Sequence, residues 1–218
     1  MVQERLLHGE AGSPTKPDRR EAILEAATTL FAERGLAGAS VQEIADAAST
    51  HKTTVLYHFA TKDALYAAVL DQAIGDIANV MQDFLAGGFD SENLRERVAY
   101  MVDQIQAHFA EHPAHARLLA RELLEQEPTS AYIERFVERI YLPAMSSIEG
   151  AVQEGLIQPV DPALFIHDLH VELVSYFCHG SLLERLKGNA PFSIEALIER
   201  RNHIVDQIFC QLRPVALA

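Results

Sequence analysis

The spacing of apolar residues constrains this chain more than any other feature. Ile23, Ala27, Leu30 and Phe31 fall at i, i+4, i+7 and i+8, one face of a helix. The same spacing returns in Leu94, Val98, Met101, Ile105 and Phe109, and again in Leu169, Leu173 and Phe177. No stretch alternates β-branched and polar residues with the period of two that a half-buried strand needs. The fold class is therefore all-α.

Punctuation between these runs predicts where the helices begin and end. A first helix starts near Pro17 or Asp18 and stops at Gly35. Ser40, with Glu43 three residues later, reads as a capping box opening a short helix that buries Val41, Ile44 and Ala45. Ala48 to Thr50 form a turn of small residues, and a second short helix runs from about His51 to Tyr57. Thr61 opens a longer helix through Val69, Ile77, Val80 and Phe84, closed by Gly87 and Gly88.

Further on, His112-Pro113 ends the helix carrying Phe109, and Leu118, Leu119 and Leu123 mark the next. Ile133 to Val152 form a third, with a kink expected at Pro143 and a stop at Gly155. Asp161-Pro162 starts a helix expected to reach about residue 185, and Ser193 caps another to about residue 211. The division that follows is a tail at 1–17, a three-helix helix-turn-helix head at 18–65 and a helical body at 66–218.

The tail lacks the apolar run of a signal peptide. Val171 to Leu183, interrupted by Glu172 and His179, is too short to span a bilayer. Cys178 and Cys210 make neither a disulfide framework nor a metal-ligand spacing, so a cytoplasmic location is expected. Net charge is −13, which opposes a broad electrostatic attraction to phosphate. Residues 1–65, however, hold seven Lys or Arg against nine Asp or Glu, while residues 66–218 hold eleven against twenty-two. The acidity lies mainly in the body, and DNA contact would come from a few placed groups.

A helix of about eight residues fits the major groove, with its first side chains able to reach base edges. His51, Lys52, Thr53 and Thr54 occupy those positions, with Tyr57 and His58 as amphipathic groups behind them. Ser40 at a helix N-terminus suits a phosphate, and Lys62 offers the backbone a point charge.

Four segments together carry a family resemblance: Arg20 to Ala27, Leu30 to Gly35, Ser40 to Ala45, and Tyr57-His58-Phe59-Ala-Thr61-Lys62-Asp-Ala-Leu65. They closely resemble the head of the tetracycline-repressor family over roughly residues 18–70. The resemblance implies a transcriptional regulator whose head binds double-stranded operator DNA as a homodimer. Its body would bind a small-molecule effector that releases the DNA, and helices near 161–185 and 193–211 would pair with their copies. Three positions depart from the pattern: Ser49 stands where glycine is usual in the turn, His51 where serine begins the recognition helix, and Leu56 where tyrosine contacts phosphate. Leu56 is expected to fill apolar space.

Polar residues on otherwise apolar helices nominate a cavity lining: Gln104, His108, Arg121, Glu122, Tyr141 and Tyr176, with Met101, Phe136 and Phe177 as apolar walls. His108, His112 and His115 at i, i+4 and i+7 suggest a metal face, but Pro113 breaks that helix and no carboxylate completes an obvious set. No metal is assigned. His167 and His170 read as surface or interface groups, and His179 beside Cys178 as core packing. Neither a glycine-rich phosphate loop, a nucleophile elbow nor a His-Glu-x-x-His run is present, so neither enzyme activity nor a cofactor is expected. A metal-responsive sensor or a helical interaction protein with altered DNA binding is the other reading.

Overall fold

The computed structural model describes residues 18–89, 92–124 and 131–212, so the expected tail lies outside them. Among the described residues every regular element is helical. The head comprises α1 (Arg19–Gly38), α2 (Val41–Ala47) and α3 (Lys52–His58), and α4 (Lys62–Leu85) leaves it for the body. Asp18 caps α1 by accepting from the Arg20 N–H, and Gly35 breaks it, at φ 69° and ψ 177°. Thr61 caps α4, accepting from the Ala64 N–H at 3.0 Å.

The body continues with α5 (Leu94–Glu111), α6 (Pro113–Leu124) and α7 (Ala131–Phe136), then a π-helical segment at Val137–Tyr141 leading into α8 (Leu142–Gln153). It ends with α9 (Pro162–Cys178), α10 (Gly180–Lys187) and α11 (Ile194–Leu212). In packing, α1 lies against α4 and α6, α5 against α11, and α9 against α6 and α8. One apolar core runs from Ile23 and Phe31 in the head to Phe109, Leu118 and Ile204 in the body. The sequence division at residue 65 thus falls inside a continuous α4, which buries Leu65 and Val69 near its start and Ile74 and Ile77 farther along.

Two expectations about the body change in detail. Proline at 143 removes an N–H and crowds the carbonyl four residues back. Here the chain answers with a widened turn, in which the Leu142 N–H bonds to Val137 O, five residues back. The expected single helix to about residue 185 is instead two. It stops at His179, and a Cβ on Gly180 would lie 2.9 Å from the Phe192 ring, so the new direction of α10 depends on glycine there. His179 is exposed at this break, contrary to the core position expected for it.

Candidate nucleic-acid interface and effector cavity

The reader is assembled from the caps inward. Ser40 Oγ accepts from the Glu43 N–H at 3.2 Å, while Glu43 accepts from the Ser40 N–H at 2.9 Å and from its hydroxyl at 2.7 Å. Arg34 closes on the other Glu43 oxygen at 2.6 Å. Hydrogen bonds from Ser40, with the Arg34 charge behind them, hold the Glu43 carboxyl below its ordinary range. The Ser40 hydroxyl proton is thus directed at Glu43, and a phosphate at this helix end would meet the unpaired N–H groups of the first turn instead.

From this base α3 presents a clear division of faces. Val55 and Phe59 are buried, and the Arg20 guanidinium lies over the Phe59 ring at 5.1 Å, fixing the C-terminal end of the helix. His51, Lys52 and Thr53 are exposed, Thr54 and His58 are half-buried, and Tyr57 stands 85% exposed. His51 is the N-cap but makes no side-chain cap hydrogen bond, which leaves its imidazole turned to the outside. Lys62, half-buried in the first turn of α4, extends the same edge. Leu56 does not fill core space as expected: it is 37% exposed beside Tyr57.

Behind the head lie two apolar chambers of about 50 Å³ each. Phe109, Phe136, Ile140, Tyr141 and His170 border one, Phe84, Val98, Met101 and Phe209 border the other, and Met81, Ile166 and Leu169 form a shared wall. His170 is the polar exception. Burial holds its imidazole down to about 4, with His167 adding to the effect, and its Nε2 is buried without a hydrogen-bond partner. Burial also raises the Tyr141 phenol.

Of the nominated lining, Met101, Phe136 and Tyr141 border the chambers. Gln104 lines an outer cleft with Arg97 and Tyr100. Tyr176 donates to Pro191 O at 2.7 Å and lies under the Arg200 guanidinium, while Phe177 packs between Phe109 and Phe192. Arg121 and Glu122 join head to body instead: Arg121 donates to Glu33 O at 3.3 Å, and Glu122 accepts from the Tyr66 hydroxyl. Tyr66 in turn meets the Phe31 ring edge-on at 4.9 Å. His170, missed as a cavity residue, shares the inward helical stripe of Ile166, Leu173 and Val174, and that periodicity was the available signal.

Comparison with known proteins identifies this arrangement. Residues 23–69 match the family model for bacterial regulatory proteins of the tetR family. Over 179 residues the chain is 35% identical to the HTH-type transcriptional repressor KstR2 of Rhodococcus jostii, covering 81% of this chain and 82% of that one. The chain belongs to the TetR family. It is a helix-turn-helix DNA-binding transcriptional regulator. RutR of Escherichia coli is 27% identical over 175 residues, covering 78% of this chain and 79% of that one. Among solved structures, AibR in complex with isovaleryl coenzyme A and operator DNA superposes with a TM-score of 0.59 at 23% identity, covering 91% of this chain and 100% of that one. At that identity the likeness is one of fold. No helix among the described residues is long and apolar enough to cross a membrane.

Membership in the TetR family makes the departure at Ser49 informative. Ser49 holds φ 51°, where L residues are strained, in a turn in which the Thr50 N–H bonds to Ala45 O at 2.8 Å and the Ser49 N–H to Asp46 O at 3.1 Å. Glycine at this point removes strain of roughly 1–2 kcal/mol but adds unfolded-state freedom. Ser49→Gly is expected to raise the free energy of unfolding by about 0.5–1 kcal/mol and leave operator preference unchanged. Denaturant titration checks it, and a destabilised variant would contradict this account of the turn.

The corner between α5 and α6 also differs from expectation. Pro113 does end the helix, yet the sharp corner brings His115 Nδ1 to 3.0 Å from His108 Nε2. Asp76 of α4 supplies the missing carboxylate, with Oδ2 3.8 Å from His108 Nδ1. Burial, with the neighbouring imidazoles, holds His115 down to about 4; burial also lowers His108, against the opposing pull of Asp76.

Proposed function

We propose that this TetR-family regulator is a repressor that binds a palindromic operator as a homodimer and leaves it when an amphipathic small molecule enters the body. The outward face of α3 is the observation that carries the reading. His51, Lys52, Thr53 and Tyr57 are exposed there on a helix anchored from beneath by Val55 and Phe59. Thr54 and His58 flank them, and Ser40 and Lys62 bracket the helix where the DNA backbone would pass.

Dimerisation is supported by apolar side chains left outside the chain's own core. Leu164 and Val171 on α9 and Ile194 and Ile198 on α11 are 44–73% exposed. Facing copies of these helices would cover them and set two α3 helices at the separation of successive major grooves, about 34 Å.

The effector class follows from the chambers. Their lining is apolar except for the buried Nε2 of His170 and the Tyr141 hydroxyl beside it, which suits an extended apolar molecule with one neutral hydrogen-bonding group. Chambers of about 50 Å³ hold far less than a ligand site of roughly 300–1,000 Å³. Entry must therefore part the shared wall, and Met81 of that wall belongs to α4, which packs against α1 of the head. Opening the chambers would displace α4, and through α1 the packing on which α3 rests.

Fluorescence anisotropy with DNA from upstream of the coding region tests the reading through its salt dependence. Lys62→Ala is expected to weaken binding to all sequences alike and reduce the log–log salt slope by about 1. His51→Ala or Thr53→Ala is expected to change which sequence is preferred, at about 1–3 kcal/mol per lost base contact. A protein that binds no DNA above the non-specific level would defeat the proposal, and a changed preference with an intact slope would remove Lys62 from the backbone.

A further inference from the structure

The geometry points to a divalent-metal site formed by Asp76, His108 and His115, where α4 meets the corner between α5 and α6. One ligand atom from each lies within 4.8 Å of the others. The two imidazole nitrogens are 3.0 Å apart, close to the edge of about 3.3 Å between ligands in a tetrahedron with metal–nitrogen bonds near 2.0–2.1 Å. Asp76, beside the other His108 nitrogen at 3.8 Å and with half its side chain exposed, would turn toward the ion, whereas His115 is 5% exposed and fixed by the corner. The exposed His112 ring, centred 5.2 Å from both other imidazoles, offers a fourth nitrogen.

The cluster has the donor set and the access that a cation needs. Without an ion, a proton joins His108 Nε2 to His115 Nδ1 while Asp76 faces the other nitrogen of His108, and a bound cation would take the place of that proton. Two or three imidazoles with one carboxylate and no thiolate select zinc, cobalt(II) or nickel over the softer copper(I) and over calcium or magnesium. A polar cleft of about 450 Å³, bordered by Glu21, Glu25, Gln72, His112 and His115, gives the ion a path from solvent. Because α6 packs against α1 and Asp76 lies on α4, the ion would tie the two helices that join head to body.

The test uses full-length protein without any polyhistidine tag, titrated with cobalt(II) and, in competition, zinc. Wild type is expected to bind one ion per chain with the intense visible bands of a tetrahedral site and a Kd of about 10 μM or tighter. Asp76→Asn, a surface change that leaves the fold intact, is expected to weaken binding about 10- to 100-fold. His115→Ala is expected to abolish the bands, with its circular dichroism recorded to establish that it folds. His203→Ala, an exposed histidine on α11, serves as the control and is expected to bind as wild type does. No saturable binding by wild type, an octahedral spectrum, or equal affinity in wild type and Asp76→Asn would overturn the site. Each readout is made on free protein, so the outcome is independent of operator binding.

Discussion

Val171→Glu combined with Ile198→Glu is expected to leave a folded monomer of 24.2 kDa that binds its operator about 10²- to 10⁴-fold more weakly than wild type. Both side chains are 44% exposed in the single chain, so charging them removes little from its own core. In a two-fold interface each substitution appears twice, and carboxylates would be buried without partners at a cost of several kcal/mol per ion. The loss on DNA follows from valency. One head meets one half-site, and the second head of a dimer binds as an intramolecular step at high effective concentration. Sedimentation equilibrium gives the mass and anisotropy the affinity. If the variant stays dimeric with full operator affinity, α9 and α11 do not pair as proposed.

Leu169→Phe is expected to produce a repressor that holds its operator normally but no longer answers its effector. Leu169 belongs to the wall shared by both chambers, so a larger ring there fills the space through which they would join. Overpacking of this kind costs about 1–3 kcal/mol of stability, which the chambers partly absorb. It adds far more to the work of opening the wall, and effector affinity is expected to fall at least about 100-fold, or roughly 2.7 kcal/mol. His170→Phe should act differently. It removes the buried polar atom while keeping the ring, and is expected to weaken effectors that carry a hydrogen-bonding group by about 10- to 100-fold while sparing apolar analogues. Calorimetry with and without operator adds a constraint, because effector and DNA must weaken each other by the same factor. An effector whose affinity is unchanged by Leu169→Phe binds somewhere other than these chambers.

What was legible in the sequence was set by neighbours in the chain. The capping box of Ser40 and Glu43, the stops at Gly35 and His112-Pro113, and the buried faces of Val55 and Phe59 all follow from spacings of a few residues, where backbone geometry fixes which side chains meet. Those local rules were enough for an all-α chain with a helix-turn-helix head. They did not reach contacts between helices. Arg121 and Glu122 read as cavity residues because each is a polar group on an apolar stripe, but only packing brings them to Glu33 of α1 and Tyr66 of α4. Pro113 correctly predicted a broken helix, yet the direction of the break decided that His108 and His115 face each other. Asp76, 32 positions before His108, joined them because α4 runs past that corner. His170 likewise reads as a surface or interface group from its neighbours in the chain, but Phe136 at the end of α7 and Tyr141 in the widened turn ahead of Pro143 lie against it. Local spacing determines which face of a helix is apolar, while the crossing of helices far apart in sequence decides which polar groups are trapped together.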